Sequence, residues 1–367
     1  MLKRTRSFLV LVMLLMTVTM SAQVTTATMS GKVTAQDEPI IGATIVAIHE
    51  PSGTRYGTVT NVSGQFNLQG MRTGGPYKVE ISYVGYQTAI YKGINLLLGE
   101  NYVLNVSLKE SSELLDEVVV TASKESNMKS DRAGAIMNAN RDMISNTPTI
   151  SRSISDIMRL SPQGADVGNG FAVGGGNYRQ SFVTVDGAAF NNTFGLGGNL
   201  PANGSPISLD ALEQVTVAVT PFDVRQSGFT GGAINAVTRS GDNQFRGTAY
   251  MYFNNENLKG SKVDDYELLR SKAQYYTYGA SFGGPIIKDK LFFFVNGEYE
   301  DNVTAGSNYR PRTALGESYS GGNIHRPLQS DMDDMRGFLL NKYNFDPGKY
   351  NDYSTDTPAY RVMARVD

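Results

Sequence analysis

Few residues in this chain can do chemistry, and their spacing narrows what chemistry is open to them. The 367 residues include no cysteine and only two histidines, His49 and His325, far apart. A His-based zinc site or a Ser–His–Asp triad needs such side chains clustered, and no H-E-x-x-H pattern is present, so an enzyme is not expected. Asp331, Asp333 and Asp334 carry the hard oxygens that Ca²⁺ prefers. The EF-hand spacing and its glycine are missing, so the cluster reads as a solvated acidic patch. No metal and no cofactor is expected. Two stretches, 164–177 and 191–204, are crowded with Gly and Asn. They lack both the G-x-x-x-x-G-K-[ST] phosphate cradle and a Rossmann-like βα turn. They read first as tight turns and close packing. Their Phe171, Asn177, Tyr178, Arg179, Phe190, Asn191, Asn192 and Phe194 would also offer aromatic and hydrogen-bonding contacts to a bound solute.

One run offers backbone chemistry instead. Glu117-Val118-Val119-Val120-Thr121-Ala122 is an apolar β-forming hexamer between the polar flanks Ser111-Ser112-Glu113 and Ser123-Lys124-Glu125-Ser126-Asn127. Consecutive valines favour an extended backbone, because β-branching restricts χ1. An extended apolar strand in a linker suits capture by β-augmentation. The alternative is an edge strand of one of its neighbours.

The elements that must position these groups follow from composition and periodicity. A net charge of −2 with 40% hydrophobic residues excludes a nucleic-acid binder driven by bulk charge. The first 22 residues read as a secretory signal: Lys3, Arg4 and Arg6, then an apolar run from Phe8 to Val18, then Ser21-Ala22-Gln23. That run is roughly a dozen residues long, against the ~20 that a spanning helix needs. Residues 24–110 read as about seven short strands with regular turn signals, hence a small β-sandwich. A linker at 111–128 holds the hexamer. Residues 129–241 form a Gly-rich α+β block, with a helix expected over Ser153–Leu160 and strands over Ser181–Val185 and Gln214–Val219.

Residues 242–367 alternate with period two. Phe245, Met251 and Phe253, then Tyr276, Tyr278 and Phe282, then Leu291, Phe293 and Val295, then Tyr360, Val362 and Val366 lie on apolar sides. Asn296, Glu298, Glu300, Arg361 and Arg365 lie on polar sides. About four strands with lipid outside and a polar lumen inside match that pattern. The connections also fit: roughly 20 residues, then the tight turn Ile287–Lys290, then more than about 50, which is the long–short alternation of outer-membrane barrels. The fold class is therefore mainly β: a small sandwich, an α+β block and the first strands of an incomplete transmembrane β-barrel.

Residues 28–108 resemble the carboxypeptidase regulatory-like domain, through Gly31/Val33, Ile41 to Ile45, Gly64/Phe66 and Tyr77 to Tyr86. With Leu115–Ala122, Phe182–Gly187, Gly231–Gly241 and Leu291–Asn296 in that order, the chain resembles the Oar-like TonB-dependent outer-membrane transporters. The resemblance makes 129–241 a plug and makes Glu117, Val118, Val119, Val120, Thr121 and Ala122 the TonB box. It implies ion pairs from Asp186, Asp223, Arg225 and Arg239 that dock the plug on the barrel wall. It also implies a TonB-like energy-transducing partner, outer-membrane lipid around the barrel and the N-terminal domain in the periplasm. The solute would be a siderophore, oligosaccharide or peptide. Family members have 22 strands against about four here, so a truncated product unable to transport is expected. The rival reading is a secreted cell-surface binding or adhesion protein with a sandwich module.

Overall fold

The computed structural model describes residues 25–110, 118–121, 136–149, 152–168, 170–192, 205–219, 231–258, 272–306, 309–319, 324–351 and 353–367, with 198, 200, 260, 262–264, 266 and 267. The expected signal segment lies outside them. The chain divides into two compact units. One is built from residues up to Arg246 with Phe282–Val295 and Met363–Asp367, the other from Gly247–Ser281 and Asn296–Val362.

In the first unit the alternating runs of the N-terminal segment form two sheets. β1 (Ala27–Ala35) pairs antiparallel with β2 (Glu38–Pro39) and β5 (Gln65–Met71), and parallel with β8 (Asn101–Val103) and β9 (Val106–Ser107). The other sheet runs β10-β7-β6-β3-β4, from β3 (Thr44–His49), β4 (Arg55–Val59), β6 (Gly74–Ser82), β7 (Ala89–Leu96) and β10 (Val118–Thr121). Every second residue points into one core, where Met29, Val33, Ile45, Phe66, Leu68, Tyr77, Val79, Ile81 and Ile94 are buried. β2 and β9, two residues each, are ladders too short for alternation to reveal.

Gly31 is required by the way the last strands cross β1. A Cβ there would stand 1.8 Å from the Leu104 carbonyl oxygen. The Leu104 N–H meanwhile donates to the Ser30 carbonyl at 2.8 Å. Gly31→Ala must therefore part the strands, and we expect a loss of about 2 kcal/mol in urea unfolding of the protein. An unchanged midpoint would refute the crossing.

The Gly-rich block folds around the sheet β11-β16-β17-β14-β15, from β11 (Ile136–Asn140), β14 (Phe182–Val185), β15 (Ala188–Ala189), β16 (Leu212–Ala218) and β17 (Ala233–Thr238). β14 and β17 are parallel, whereas β11–β16 and β16–β17 are antiparallel. The hairpin β12 (Gly164–Asp166) and β13 (Phe171–Val173) and two short helices, α1 (Arg141–Asn146) and α2 (Ile154–Met158), complete it. Asn140 caps α1 through its Oδ1, which accepts the Met143 N–H at 2.9 Å. The helix expected over Ser153–Leu160 is α2, one turn shorter because its last residues enter the turn before Pro162. One sheet face is apolar, with Val183, Val185, Val215, Val217 and Ile234 against Ile144, Ile157 and Met158. The other is polar yet buried: Thr184 donates to Asn235 Oδ1 at 2.7 Å, and Thr216 to Asn138 Oδ1 at 2.5 Å. A sheet covered on both sides can carry such a ladder only if its polar groups pair with one another.

The dyad runs form the sheet β18-β21-β22-β25, from β18 (Arg246–Asn255), β21 (Gln274–Ile287), β22 (Leu291–Ala305) and β25 (Ser354–Val366). Three of these strands have 13 to 15 residues, longer than the expected runs. Backbone pairing continues as far as neighbours supply partners, beyond the roughly 10 residues that lipid requires. The connections hold the hairpins β19 (Lys262–Val263) with β20 (Tyr266–Glu267) and β23 (Arg310–Arg312) with β24 (Ile324–Leu328). They also hold helix α3 (Gln329–Tyr343), which the sequence reading had left inside a long loop. Leu328 and Asn344 bound α3, Asn344 in the left-handed region that ends helices.

Candidate functional site

The strands place their polar alternation inward. Asn296, Glu298, Glu300 and Arg361 are buried, while Met251, Phe253, Tyr278, Phe282, Val295, Tyr360 and Val362 are exposed. That inverts a soluble sheet and is the arrangement of a strand wall with lipid outside. Aromatic groups gather toward both strand ends. Phe245, Phe282 and Phe293 pack together near the tight turn, and Phe253 packs on Tyr276 at 4.9 Å.

On the inner side Arg361 bridges two carboxylates. Its Nη1 is 2.9 Å from Glu298 Oε1 and 2.7 Å from Glu300 Oε2. Tyr250 donates its hydroxyl to Glu298 Oε2 at 2.5 Å.

In the first unit, ion pairs join the Gly-rich block to strand ends. Asp186, held at φ +48°, accepts the Thr238 N–H at 2.9 Å and faces Arg365 of β25 at 3.5 Å. Arg365 also donates to the Thr238 carbonyl at 2.9 Å. Arg239 lies 4.8 Å from the Phe294 ring and 3.7 Å from Asp210. The docking role expected of Asp186 and Arg239 thus has visible partners, whereas Asp223 and Arg225 lie outside the described residues.

These groups border a cleft of about 1260 Å³ that also takes in Arg72, Arg141 and Glu213. Burial pushes the Glu213 carboxyl up, against the pull of Arg141 and Arg239. Burial and the neighbouring Arg141 lower Arg239. The sandwich reaches the same block through its 97–100 turn. Leu98 N–H donates to Gln214 Oε1 at 3.2 Å, and Asn138 Nδ2 to Glu100 Oε1 at 2.6 Å. Arg72, Arg141, Asp210 and Glu213 had no local pattern to single them out, and alternation placed Arg365 on a polar side without its partners. They matter because of what they face.

The expected loop contacts separate into two groups. Phe171 is buried in the core, its ring filling the space a Cβ on Gly164 would need, so it is not offered to a solute. Asn177 accepts the Arg179 N–H at 3.0 Å. Asn191 accepts from Val183 N and donates to the Ser181 carbonyl, at 2.7 and 2.8 Å. Asn192 donates to the Gly198 carbonyl at 3.2 Å. These asparagines tie loop backbone together. Phe190 packs against the core and Phe194 lies outside the described residues. The half-buried Tyr178 and the exposed Arg179 remain, the guanidinium 5.4 Å from the ring and its Nε donating to the Tyr178 hydroxyl at 3.0 Å.

Of the hexamer, Glu117 and Ala122 lie outside the described residues. Val118–Thr121 is β10, parallel to β7, with Val118↔Ala89, Val119↔Ile90, Val120↔Tyr91 and Thr121↔Lys92. The edge-strand alternative is thus realised, on the sandwich. The acidic trio sits on α3, Asp331 in its first turn, where the positive end of the helix dipole favours negative charge. Asp333 accepts the Tyr350 hydroxyl at 2.6 Å. Among the described residues no three His, Cys, Asp or Glu side chains are grouped to hold a metal.

Residues 28–109 match the carboxypeptidase regulatory-like domain, and residues 237–347 match an outer membrane beta barrel domain. A regulatory-like sandwich followed by outer-membrane strands defines the class. The chain carries both domains, is similar to TonB-dependent outer-membrane transporters and receptors, and resides in the outer membrane.

It is 26% identical over 223 residues to the TonB-dependent transporter Oar of Myxococcus xanthus, a match covering 59% of this chain and 19% of the relative. It is 29% identical over 269 residues to the TonB-dependent receptor SusC of Bacteroides thetaiotaomicron, covering 69% and 24% respectively. The chain thus spans about a fifth to a quarter of the length of these curated relatives. Among solved structures it is similar to the siderophore receptor PirA from Acinetobacter baumannii, with 20% identity, a TM-score of 0.37, and coverage of 46% of this chain and 24% of that one. The rival reading of a secreted adhesion protein is not favoured. Its strands would expose their polar side to water, and here the exposed side is apolar.

Proposed function

We propose that the protein is an energised outer-membrane receptor for a solute such as a siderophore, oligosaccharide or peptide. The solute binds at the outer face, where Tyr178 and Arg179 offer a ring and a cation. A TonB-like protein in the periplasm takes Glu117–Ala122 as an added strand, and backbone hydrogen bonds carry its pull to the plug. Residues 24–110 are the periplasmic sandwich, 111–128 the linker with the handle, 129–241 the plug and 242–367 barrel wall. The observation that supports this most is the inverted alternation of the strand wall, together with two relatives named as TonB-dependent.

Uptake of labelled ferric siderophore, oligosaccharide and peptide by cells expressing the protein tests the reading. Deleting Glu117–Ala122 is expected to lower uptake of one class at least about tenfold, a change equivalent to about 1.4 kcal/mol. Cells lacking TonB should show the same loss. Equal uptake with and without TonB would overturn the proposal.

A further inference from the structure

The sandwich and the Gly-rich block are joined by more than the chain between them. β11 is the outermost strand of its sheet and pairs with β16 alone, from Ile136↔Ala218 to Asn140↔Gln214. A strand with one neighbour is among the first parts of a sheet to open locally. β11 is also the first described strand after Val118–Thr121, so tension on the 117–122 segment reaches the Gly-rich block there first.

Asn138 of β11 uses both ends of its amide. Its Oδ1 accepts the Thr216 hydroxyl of β16, and its Nδ2 donates to Glu100 Oε1 of the sandwich at 2.6 Å. Asn138 is 6% exposed, so water cannot take over either bond. Close by, Leu98 N–H donates to Gln214 Oε1 at 3.2 Å. The Leu98 side chain is buried yet belongs to neither apolar core, which leaves the seam to cover it. A Cβ on Gly74 would stand 3.1 Å from Glu213 Oε1, so a second turn of the sandwich meets β16. Glu100 is itself held from behind. Its carbonyl accepts the Thr28 N–H at 3.2 Å and the Thr28 hydroxyl at 3.3 Å. Thr28 lies on β1, with which every other strand of its sheet pairs. A path of hydrogen bonds thus runs from β1 through Glu100 and Asn138 to Thr216.

We infer that the sandwich is a buttress for β11, and that the Glu100–Asn138 bond sets how readily this strand opens when the 117–122 segment is pulled. The inference rests on the reading of Glu117–Ala122 as the pulled segment. β11 cannot part from β16 while Asn138 stays bonded to both Thr216 and Glu100. The two domains therefore share one threshold. A buried amide bonded to a charged acceptor loses roughly tenfold or more in its opening equilibrium when that acceptor is removed.

Hydrogen–deuterium exchange of the protein in outer-membrane preparations tests the buttress. Glu100→Ala should speed exchange of the 136–140 amides at least about tenfold, with β1, β5 and β14 within about twofold of the wild type. Glu100→Gln keeps an acceptor oxygen and should restore most of the protection. Unchanged exchange of 136–140 in Glu100→Ala overturns the buttress. Faster exchange in every strand overturns it too, since Glu100 would then serve overall stability alone. The chain lacks cysteine, so Ala122→Cys offers a single thiol through which a force probe can pull. The force that extracts 136–140 should fall with Glu100→Ala and hold with Glu100→Gln, and an equal force in all three chains overturns the inference. A second probe carries the purified periplasmic domain of the host's TonB. If it captures no chain while the thiol-linked pull still depends on Glu100, the partner reading falls and the buttress stands.

Discussion

Arg361→Ala is expected to destabilise the strand wall by about 3–5 kcal/mol, because it leaves two buried carboxylates side by side with no cation. The side chains of Arg361, Glu298 and Glu300 are 3%, 2% and 6% exposed, so water cannot replace the lost guanidinium. Glu298 and Glu300 are two positions apart on β22 and share one face, so without Arg361 each also repels the other. The fraction of heat-modifiable, folded protein in outer-membrane fractions measures the destabilisation, as does urea unfolding in detergent micelles.

A companion variant separates charge from packing. Arg361→Met combined with Glu298→Gln and Glu300→Gln should fold far better than Arg361→Ala, since removing a buried ion cluster whole costs much less than breaking it. Equal damage in both would show that the ion cluster contributes nothing of its own.

The second large effect is a loss of sandwich stability in acid, driven by His49. Its ring is buried at the end of β3, with Nδ1 2.7 Å from Ser52 Oγ and the Tyr77 ring 5.0 Å away. Burial first, and then the charge of Arg72, lower its pKa from 6.5 to about 4. Above pH 6.5 the ring is neutral in folded and unfolded chains alike, and stability is full. As pH falls below 6.5 the unfolded chain binds a proton that the folded chain refuses, so stability drops until about pH 4 and then levels off. The integrated loss is about 3 kcal/mol. The difference in unfolding free energy between wild type and His49→Gln, followed from pH 7.5 to 4, isolates this contribution from that of the carboxylates. A difference independent of pH would refute it.

How much of this was legible varies with the range of the interaction. Period-two alternation is local, so the inward Glu298 and Arg361 and the outward Phe282 and Val362 could be sorted from neighbours alone. The tight turn at Ile287–Lys290 was equally plain, because β21 and β22 meet through three residues. Helix α3 was missed because its apolar residues follow no clean stripe. Met335, Phe338, Leu340 and Tyr343 are all exposed, so burial imposed no period on it. The loop residues divided for a different reason. An asparagine that binds solute and one that ties a turn look the same in sequence, and only the positions of the Val183 and Ser181 backbone groups show that Asn191 is the second kind.

The sequence by itself determined the order of sandwich, Gly-rich block and outward-apolar strands. It also determined that Val118–Thr121 would be extended, since β-branching acts between adjacent residues. Only the tertiary structure decided what each of these meets. Arg361 finds its glutamate 63 residues away, Arg365 finds Thr238 across 127, and Val118–Thr121 finds the edge of β7. Such partners depend on strand order and register, which arise from the packing of whole faces against one another and leave no mark on a local stretch of chain.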